Sequence, residues 1–567
     1  MASSDEEYLT TLKELWAANW PAGFPREAKY PFGQVPLSEY LRRRALQTPD
    51  RVAYVFYGYE MTFGELDVLS ERFAAFLLRS GLTIGDRVAV FLPNCPQFII
   101  AFYGILKAGC VHTPVNVMFR EEELIYELKD SEPRIVVCLD TLVELVETAL
   151  ARTHGALVVS TNISEYVPSE PTIPLPGGMH AAREVGGSIV KWKEIVQVEC
   201  DPVDVKPQLD WLASLNYTGG TTGLPKGCQH TQGDMVYTAA AAAAFRFLGD
   251  EDEVALVYIP IFWIAGENVG VLSPVFSGGT CVLLNRWDPL GALIAIDRYR
   301  VTGMLGTVDN YVELMEHPSV GEFDLTSLRT PLAMSLVRRM SSEYRERWSA
   351  VAGRESVLRE GAYGMTETHT TDTIIGGFQE GNRDLKTESV FCGLPMPGTE
   401  IKIVDFDTGV PAPLGSKGEI AIRTPSLFKG YWRHPEESAA VFRDGWFHTG
   451  DIGMFDQDGI LHFFGRRKEM LKVNGMSVFP AELEVLISRM PDVAGCAVVG
   501  ASSAEKGEIP VAYIQLHPDA LDRIDEEALI RWCKVNMAAY KVPRIHILDA
   551  LPLTATGKVK KDLLPRY

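Results

Sequence analysis

Residues 217–227 read Tyr217-Thr-Gly-Gly-Thr-Thr-Gly-Leu-Pro-Lys-Gly227, and no other stretch of the chain narrows its possible architecture so far. Gly219, Gly220, Gly223 and Gly227 allow close backbone approach and positive φ, so that amide N–H groups can converge on anionic oxygens. Thr218, Thr221 and Thr222 add hydroxyl donors, and Lys226 adds a positive charge. That combination suits a polyphosphate. The spacing is not that of a P-loop NTPase, because Pro225 precedes the lysine and Gly227 follows it. Taken alone, the same composition also suits a plain surface turn.

Bulk properties limit the alternatives. A chain of 567 residues with 46% hydrophobic composition is long enough for more than one globular domain. The formal net charge of −20 excludes binding driven by nucleic-acid counterion release, so anionic ligands must be met by local basic clusters. Nine scattered cysteines without a CxxC pair, and no amino-terminal signal segment, point to reduced thiols in a cytoplasmic protein. No apolar run approaches the roughly 20 residues of a membrane span. Cys228, next to the glycine-rich loop, reads as a small core residue rather than a nucleophile.

Between Thr62 and about Asp140, amphipathic stretches alternate with apolar runs at Val88–Leu92 and Arg134–Leu139, a βαβ rhythm with a parallel sheet. Val167 to Gly187 is rich in Pro and Gly and reads as a surface excursion. A helix is expected over Asp234–Phe245, where six consecutive alanines from Ala239 to Ala244 favour close helix packing over a roomy pocket. From Gly393 onward, turns at Asp405–Gly409 and Asp456–Gly459 separate short alternating strands, as in a distorted barrel. After Arg466-Arg467-Lys468 a small α+β unit is expected, with helices at Pro480–Met490 and Glu526–Met537. The expected domains are therefore 1–467 and 468–567.

Further motifs stand in order along the chain: Gly361-Ala-Tyr-Gly-Met-Thr-Glu-Thr368, Gly445-Trp-Phe-His-Thr-Gly-Asp-Ile-Gly453, Gly465-Arg-Arg-Lys-Glu469, Lys472-Val-Asn-Gly-Met-Ser-Val-Phe-Pro-Ala-Glu-Leu-Glu484 and Thr554-Ala-Thr-Gly-Lys558. Thr48–Ala53, Thr62–Leu66 and Gly85–Val90 extend the pattern toward the amino terminus. With the loop at 217–227, these segments resemble the adenylate-forming superfamily, and within it the acyl-CoA synthetases. The resemblance covers nearly the whole chain.

It implies an α/β amino-terminal domain of two parallel-sheet subdomains plus a distorted β-barrel, and a small mobile α+β carboxy-terminal domain that turns about Lys468. It also implies ATP, Mg²⁺ and coenzyme A as cofactors. Thr218, Gly220, Thr221, Thr222, Gly223 and Lys226 would hold the phosphates, and Tyr363, Gly364 and Thr366 would border the nucleotide. Glu367 would ligate magnesium. Asp451 and Arg466 would take the ribose, with Trp446 and His448 packing around Asp451. Lys558 would neutralise the carboxylate and α-phosphate during adenylation, and rotation would replace it with Lys472 to Gly475, Gly475 bordering the pantetheine channel.

Three departures stand out. Gly219 occupies a position commonly held by serine, and a missing donor costs roughly 1 to 3 kcal/mol if its partner is left unsatisfied. In Arg329–Leu336, Leu332 and Met334 stand where smaller residues are usual beside the adenine. Pro260-Ile-Phe-Trp263 ends in tryptophan where many relatives carry histidine, so Trp263 is either a gate to the acyl pocket or a core side chain. The candidate pocket, Trp263 to Gly266 with Asn268 and Val269, together with Gly303–Val308 and so Gly306, is mostly apolar and has no cation for a second carboxylate. Glu267 is the exception, facing either solvent or a substrate hydroxyl.

The expected reaction is ligation of a hydrophobic monocarboxylic acid to CoA through an acyl-adenylate. Two other readings stay open: a ligase that only transfers a preformed acyl-adenylate to CoA, and a non-catalytic acyl- or nucleotide-binding homologue. A peptide-synthetase module is disfavoured, because the sequence stops at Tyr567 without a carrier domain. The expected partners are the acid or its adenylate and CoA, with a homodimer as one assembly to test and neither nucleic acid nor a membrane span.

Overall fold

The computed structural model describes residues 5–565, apart from 178, 180–182, 184–185, 187–188, 220–223, 245–248, 388, 474–475, 504–506 and 555–556. The apolar runs expected as strands form Arg87–Phe91 and Ile135–Leu139, parallel and with Val88 opposite Ile135. They belong to a seven-stranded sheet that continues through Val111–Pro114 to Leu212–Tyr217 and closes with the antiparallel strand Gly227–Thr231. A second seven-stranded sheet includes Val254–Val257, Gly303–Thr307, Thr330–Met334 and Arg359–Glu360, all parallel. Strands buried on both faces read as continuous apolar runs, as Ile135–Leu139 and Val254–Val257 do.

Every residue of the helix Pro96–Lys107 is buried, the pattern of a helix covered on all sides. Its one charge, on Lys107, is compensated by Asp67 at 2.6 Å and Glu71 at 2.9 Å. Just before this helix, the Asn94 amide donates to the Ile259 and Leu284 carbonyls and accepts from the Ile261 N–H, which ties the first sheet's loops to the second. The alanine-rich helix runs Gln232–Ala244, with Ala239 to Ala242 buried against Asn268–Leu272 and Ser273–Ser277, so close packing is what the small side chains serve. In the Pro/Gly-rich stretch the surface excursion is pinned rather than free, because Ile173 is buried and the Thr172 N–H donates to the Tyr57 carbonyl.

The third sheet is antiparallel and curled, and its turns are those expected: Gly409 and Gly459 have positive φ, while Asp405 and Asp456 accept amides of the turns they open. The amino-terminal helix Asp5–Asn19 clasps this sheet, its Trp16 indole donating to the Gly459 carbonyl at 3.0 Å.

The last hundred residues carry a separate sheet, from Leu471–Val473 to Arg544–Ile547, over an apolar cluster that includes Leu483, Val498, Ile514 and Leu529. Its helices stop at Ile487 and Asn536, before the expected Met490 and Met537, because Ser488 caps the first and Met537 is extended.

Candidate active site in the domain cleft

The glycine-rich loop follows the strand Leu212–Tyr217, the Trp263 segment follows Val254–Val257 and the Glu367 turn follows Arg359–Glu360, so the candidate residues stand after the carboxyl ends of strands, the usual place for a ligand in open α/β sheets. The strands Leu212–Tyr217 and Gly227–Thr231 pair with Tyr217 opposite Gly227, leaving the glycine-rich loop between them. Thr218 works at the base of that loop: its N–H donates to the Lys226 carbonyl at 3.0 Å, and its hydroxyl accepts from the Lys226 N–H at 3.1 Å. Gly220, Thr221, Thr222 and Gly223 lie outside the described residues. The helix Glu121–Ser131 buttresses the loop, with Tyr126 donating to the Pro225 carbonyl at 2.8 Å and Tyr217 to Asp130 at 2.6 Å. A Cβ at Gly227 would meet the Tyr217 ring at 3.2 Å, so a larger residue there would push the ring by a few tenths of an ångström.

Lys226 Nζ lies 4.6 Å over the ring of Tyr431, and the Tyr431 hydroxyl donates to Glu367 Oε1 at 2.9 Å. Burial, with Glu367 beside it, pushes the Tyr431 phenol well up, so it remains a donor. Sequence reasoning missed this tyrosine. The aromatic and basic run Phe428-Lys-Gly-Tyr-Trp432 was the available signal. Cys228 is buried with Phe428, Tyr431 and Phe447, a core residue as expected.

Glu367 sits in the turn Thr366–Thr368, and the Thr366 carbonyl lies 2.8 Å from His230 Nε2. Gly364 is part of a short strand paired with Thr370–Thr371. Tyr363, expected to present a ring face, also donates its hydroxyl to Asp451 Oδ2 at 2.7 Å. Burial raises the Asp451 carboxyl, opposed by Arg466, whose Nε is 3.3 Å from Oδ1. Among the described residues that buried Oδ1 takes no hydrogen bond beyond its ion pair with Arg466, which suits an acceptor for a ligand hydroxyl. Asp451 and Arg466 face each other on adjacent strands, so this pairing comes from the register of the third sheet. His448 bonds Glu419 at 3.0 Å, and Glu419 also accepts the Gly450 N–H, which shapes the turn before Asp451. Trp446 packs instead with Leu9 and Ala421, between Lys402 and Arg423.

The small domain closes over this cleft. Val337 packs on Gly495, while Glu484 meets Arg339 of the large domain at 3.4 Å and Lys561 at 2.8 Å. The Thr554–Lys558 turn, with Gly557 at positive φ, is held by the Lys558 N–H to Thr554 Oγ1 at 3.0 Å. Lys558 is exposed, and partial desolvation followed by the like charge of Arg466 pushes its ammonium down, with Asp451 opposing. Arg466, Arg467 and Lys468 line a cavity of about 490 Å³ together with Thr449 and Gly450. Desolvation and then Arg466 lower Lys468 in the same way. Lys472 is exposed, on a strand whose Leu471 and Val473 are buried, its ammonium bonded to Ser477 at 2.9 Å, and Gly475 lies outside the described residues.

On the acyl side, Trp263 is half-buried at the start of the helix Ile264–Glu267, which runs directly into a π-helical segment, Asn268–Leu272. Asn268 is buried and accepts from the Ser273 hydroxyl at 3.4 Å. Gly306 is covered by the Tyr258 hydroxyl, which itself bonds Asn310 at 2.6 Å. Leu332 belongs to the core, and Met334 lies against Gly361. Glu267 does not face solvent: it is fully buried, accepts from the Asn216 amide at 2.9 Å and lies 3.5 Å from His369.

The donor set suits Mg-ATP. Lys226, Arg466 and Lys558 supply positive charge and Asp451 an unfilled acceptor. Among the described residues no group of three or more His, Cys, Asp or Glu could cage a metal. A single carboxylate such as Glu367 suits Mg²⁺, which takes its other ligands from phosphate oxygens and water. None of the described helices is long and apolar enough to cross a membrane.

Residues 41–432 match the family described as AMP-binding enzyme, and residues 482–558 match the AMP-binding enzyme C-terminal domain. A long-chain-fatty-acid–CoA ligase of Bacillus subtilis (strain 168) is 31% identical over 560 residues, 97% of each chain. A feruloyl-CoA synthase of Amycolatopsis sp. is 32% identical over 528 residues, 92% of this chain and 97% of the relative. The crystal structure of ATP-bound MatB from Rhodopseudomonas palustris superposes with a TM-score of 0.77 at 27% identity, covering 93% of this chain and 98% of that one. With both domains matched and the cleft built from the motifs described above, the chain belongs to the AMP-binding enzyme family, on the acyl-CoA synthetase branch of the adenylate-forming superfamily.

Proposed function

We propose that this enzyme activates a hydrophobic monocarboxylic acid with ATP, giving an acyl-adenylate and pyrophosphate, and then transfers the acyl group to CoA with release of AMP. The observation that carries the reading is that Lys558 from the small domain lies near enough to the Arg466–Asp451 pair of the large one for both charges to act on its ammonium. In the first step a carboxylate oxygen of the acid attacks the α-phosphorus and the bond to pyrophosphate breaks. Lys558 offsets the charge that gathers between carboxylate and α-phosphate, Lys226 and the glycine-rich loop hold the leaving pyrophosphate, and Asp451 fixes the ribose. Magnesium, held by Glu367, would supply charge neutralisation at the phosphates. Positioning and electrostatic stabilisation provide the rate, without a covalent protein nucleophile.

For the second step, rotation about Lys468 withdraws Lys558 and admits the CoA thiol, which loses its proton, attacks the acyl carbon and expels AMP. The domain boundary at 467/468 belongs to this reading. The substrate class rests on the mostly apolar wall from Trp263 to Val269, and relatives named for a long-chain fatty acid and for ferulate are in keeping with it.

The test is pyrophosphate–ATP exchange across a panel of aliphatic and aryl acids, run beside thioester formation from synthetic acyl-adenylates. Exchange and thioester formation with the same hydrophobic acid is the expected result. Thioester formation without exchange, or exchange only with dicarboxylic acids, would overturn the reading.

A further inference from the structure

Behind the acyl side of the cleft lies a buried polar chain that the reaction as described does not use. Glu267, Asn216 and His369 are all within 3% of complete burial, among further buried polar side chains that include Ser214, Thr238 and His230. Their elements differ in purpose. Glu267 ends the short helix that begins at Trp263. Asn216 precedes Tyr217 and Thr218 at the mouth of the glycine-rich loop, and His369 follows the Thr366–Thr368 turn that carries Glu367.

The contacts run without interruption from one to the next. Glu267 Oε2 accepts from Asn216 Nδ2 at 2.9 Å, and Asn216 Oδ1 accepts from the Ser214 hydroxyl. Glu267 Oε1 faces His369 Nε2 at 3.5 Å, too long for a good hydrogen bond, and among the described residues neither atom has another partner. On its other side His369 Nδ1 lies 3.1 Å from Thr238 Oγ1, whose hydroxyl donates to the His369 carbonyl at 3.2 Å, so the imidazole cannot turn away from Glu267. Its ring also packs edge-on against His230 at 4.5 Å, and His230 reaches the Thr366 carbonyl.

Two backbone observations point the same way. His369 has φ 57° and ψ 31°, a left-handed conformation uncommon for a residue with a side chain. Immediately after Glu267 the helix widens into its π-helical segment, a distortion found often at functional sites. The two irregular segments of the site thus meet through one side-chain pair. A separation of 3.5 Å leaves that pair room to tighten by about half an ångström to hydrogen-bond length, with a proton on Nε2 as the donor, since Nδ1 gives its own to Thr238 Oγ1.

We propose that Glu267 and His369 are positioning residues that couple the acyl pocket to the magnesium–triphosphate site. An acid seated against the Trp263 helix draws the pair together and sets the Glu367 turn, so acid and Mg-ATP each bind more tightly when the other is present. The coupling is reciprocal, as linkage requires, and couplings of this kind usually change affinity by about 5- to 150-fold. The inference rests on the ligase reading for the identity of the two ligands.

The experiment is calorimetric titration of the full-length enzyme with magnesium α,β-methylene-ATP, with and without a saturating acid chosen from the exchange panel. The wild type should bind the analogue at least about fivefold more tightly with acid present. Glu267→Gln keeps the shape and an amide contact to Asn216 while removing the carboxylate from His369. It should bring the ratio close to one, with affinity for the analogue alone changed less than about threefold. A merely structural role would weaken both titrations and leave the ratio intact.

His369→Asn removes the ring but retains a residue that accepts left-handed backbone, and it carries the test independently if Glu267→Gln does not fold. A ratio within twofold of wild type in either folded variant, or a wild-type ratio of one, overturns the inference. A wild type with no exchange on any acid overturns the ligase reading instead.

Discussion

Replacing Lys558 by alanine should separate the two half-reactions. The ammonium stands on a turn held by two hydrogen bonds to Thr554, the Gly557 N–H to its carbonyl at 2.9 Å and the Lys558 N–H to its hydroxyl at 3.0 Å, so the substitution leaves the backbone in place. What disappears is one positive charge in the cleft beside Arg466 and Asp451. A unit charge about 4 Å from a phosphate oxygen contributes ~4 kcal/mol at an effective dielectric constant near 20. That corresponds to roughly a thousandfold in rate, in keeping with the loss of one preorganised donor from an active site. Pyrophosphate exchange should therefore fall by two to three orders of magnitude, whereas thioester formation from a synthetic acyl-adenylate should change by no more than a few-fold. Both are measured under single-turnover conditions, with Lys558→Arg, which restores the charge at a different reach, as an intermediate case. Equal losses in both half-reactions, or exchange within tenfold of wild type, would refute the placement of Lys558 at the reacting carboxylate.

Asp451→Asn should raise the KM for ATP about 10- to 100-fold, because a hydrogen bond to a charged acceptor contributes about 1.5 to 3 kcal/mol; initial-rate kinetics that leave KM unchanged would remove Asp451 from the nucleotide site. Gly266→Ala should destabilise the fold by about 1 to 3 kcal/mol, since its Cβ would overlap the Pro260 carbonyl, and urea denaturation midpoints measure this. His112 is fully buried, edge-on to Phe98 and Phe102, and burial lowers it from 6.5 to about 4. The neutral form is favoured in the fold, so its contribution is complete above pH 6.5 and is lost as pH falls toward 4, by about 1.4 kcal/mol per unit or roughly 2 kcal/mol at pH 5. Urea melts at pH 7 and pH 5 should show a steeper loss for the wild type than for His112→Gln, and equal slopes would contradict the assignment.

Much of this protein is decided by the linear chain. Glycines at fixed turns, a lysine after Pro225, Asp451 inside a β-rich stretch and apolar runs of strand length are local facts, and local conformational preference and hydrophobic periodicity read them directly. So the parallel sheets, the curled third sheet, the small terminal domain and the adenylate-forming motifs were legible at once. Contacts between segments distant in sequence were not. Tyr431 joins Lys226 to Glu367 only because the strand after the glycine-rich loop runs beside the loop at 428–432. Glu267 looked out of place in an apolar wall, since its partners stand 51 residues upstream at Asn216 and about a hundred downstream at His369. Whether a buried charge is costly or compensated depends on what lies within about 4 Å of it, a distance that only the packed chain defines. The sequence by itself determined which chemical groups are present and the elements that carry them, because those follow from local sterics and periodicity. Only the tertiary structure decided which groups meet, because burial and pairing arise from the close approach of segments that the sequence holds far apart.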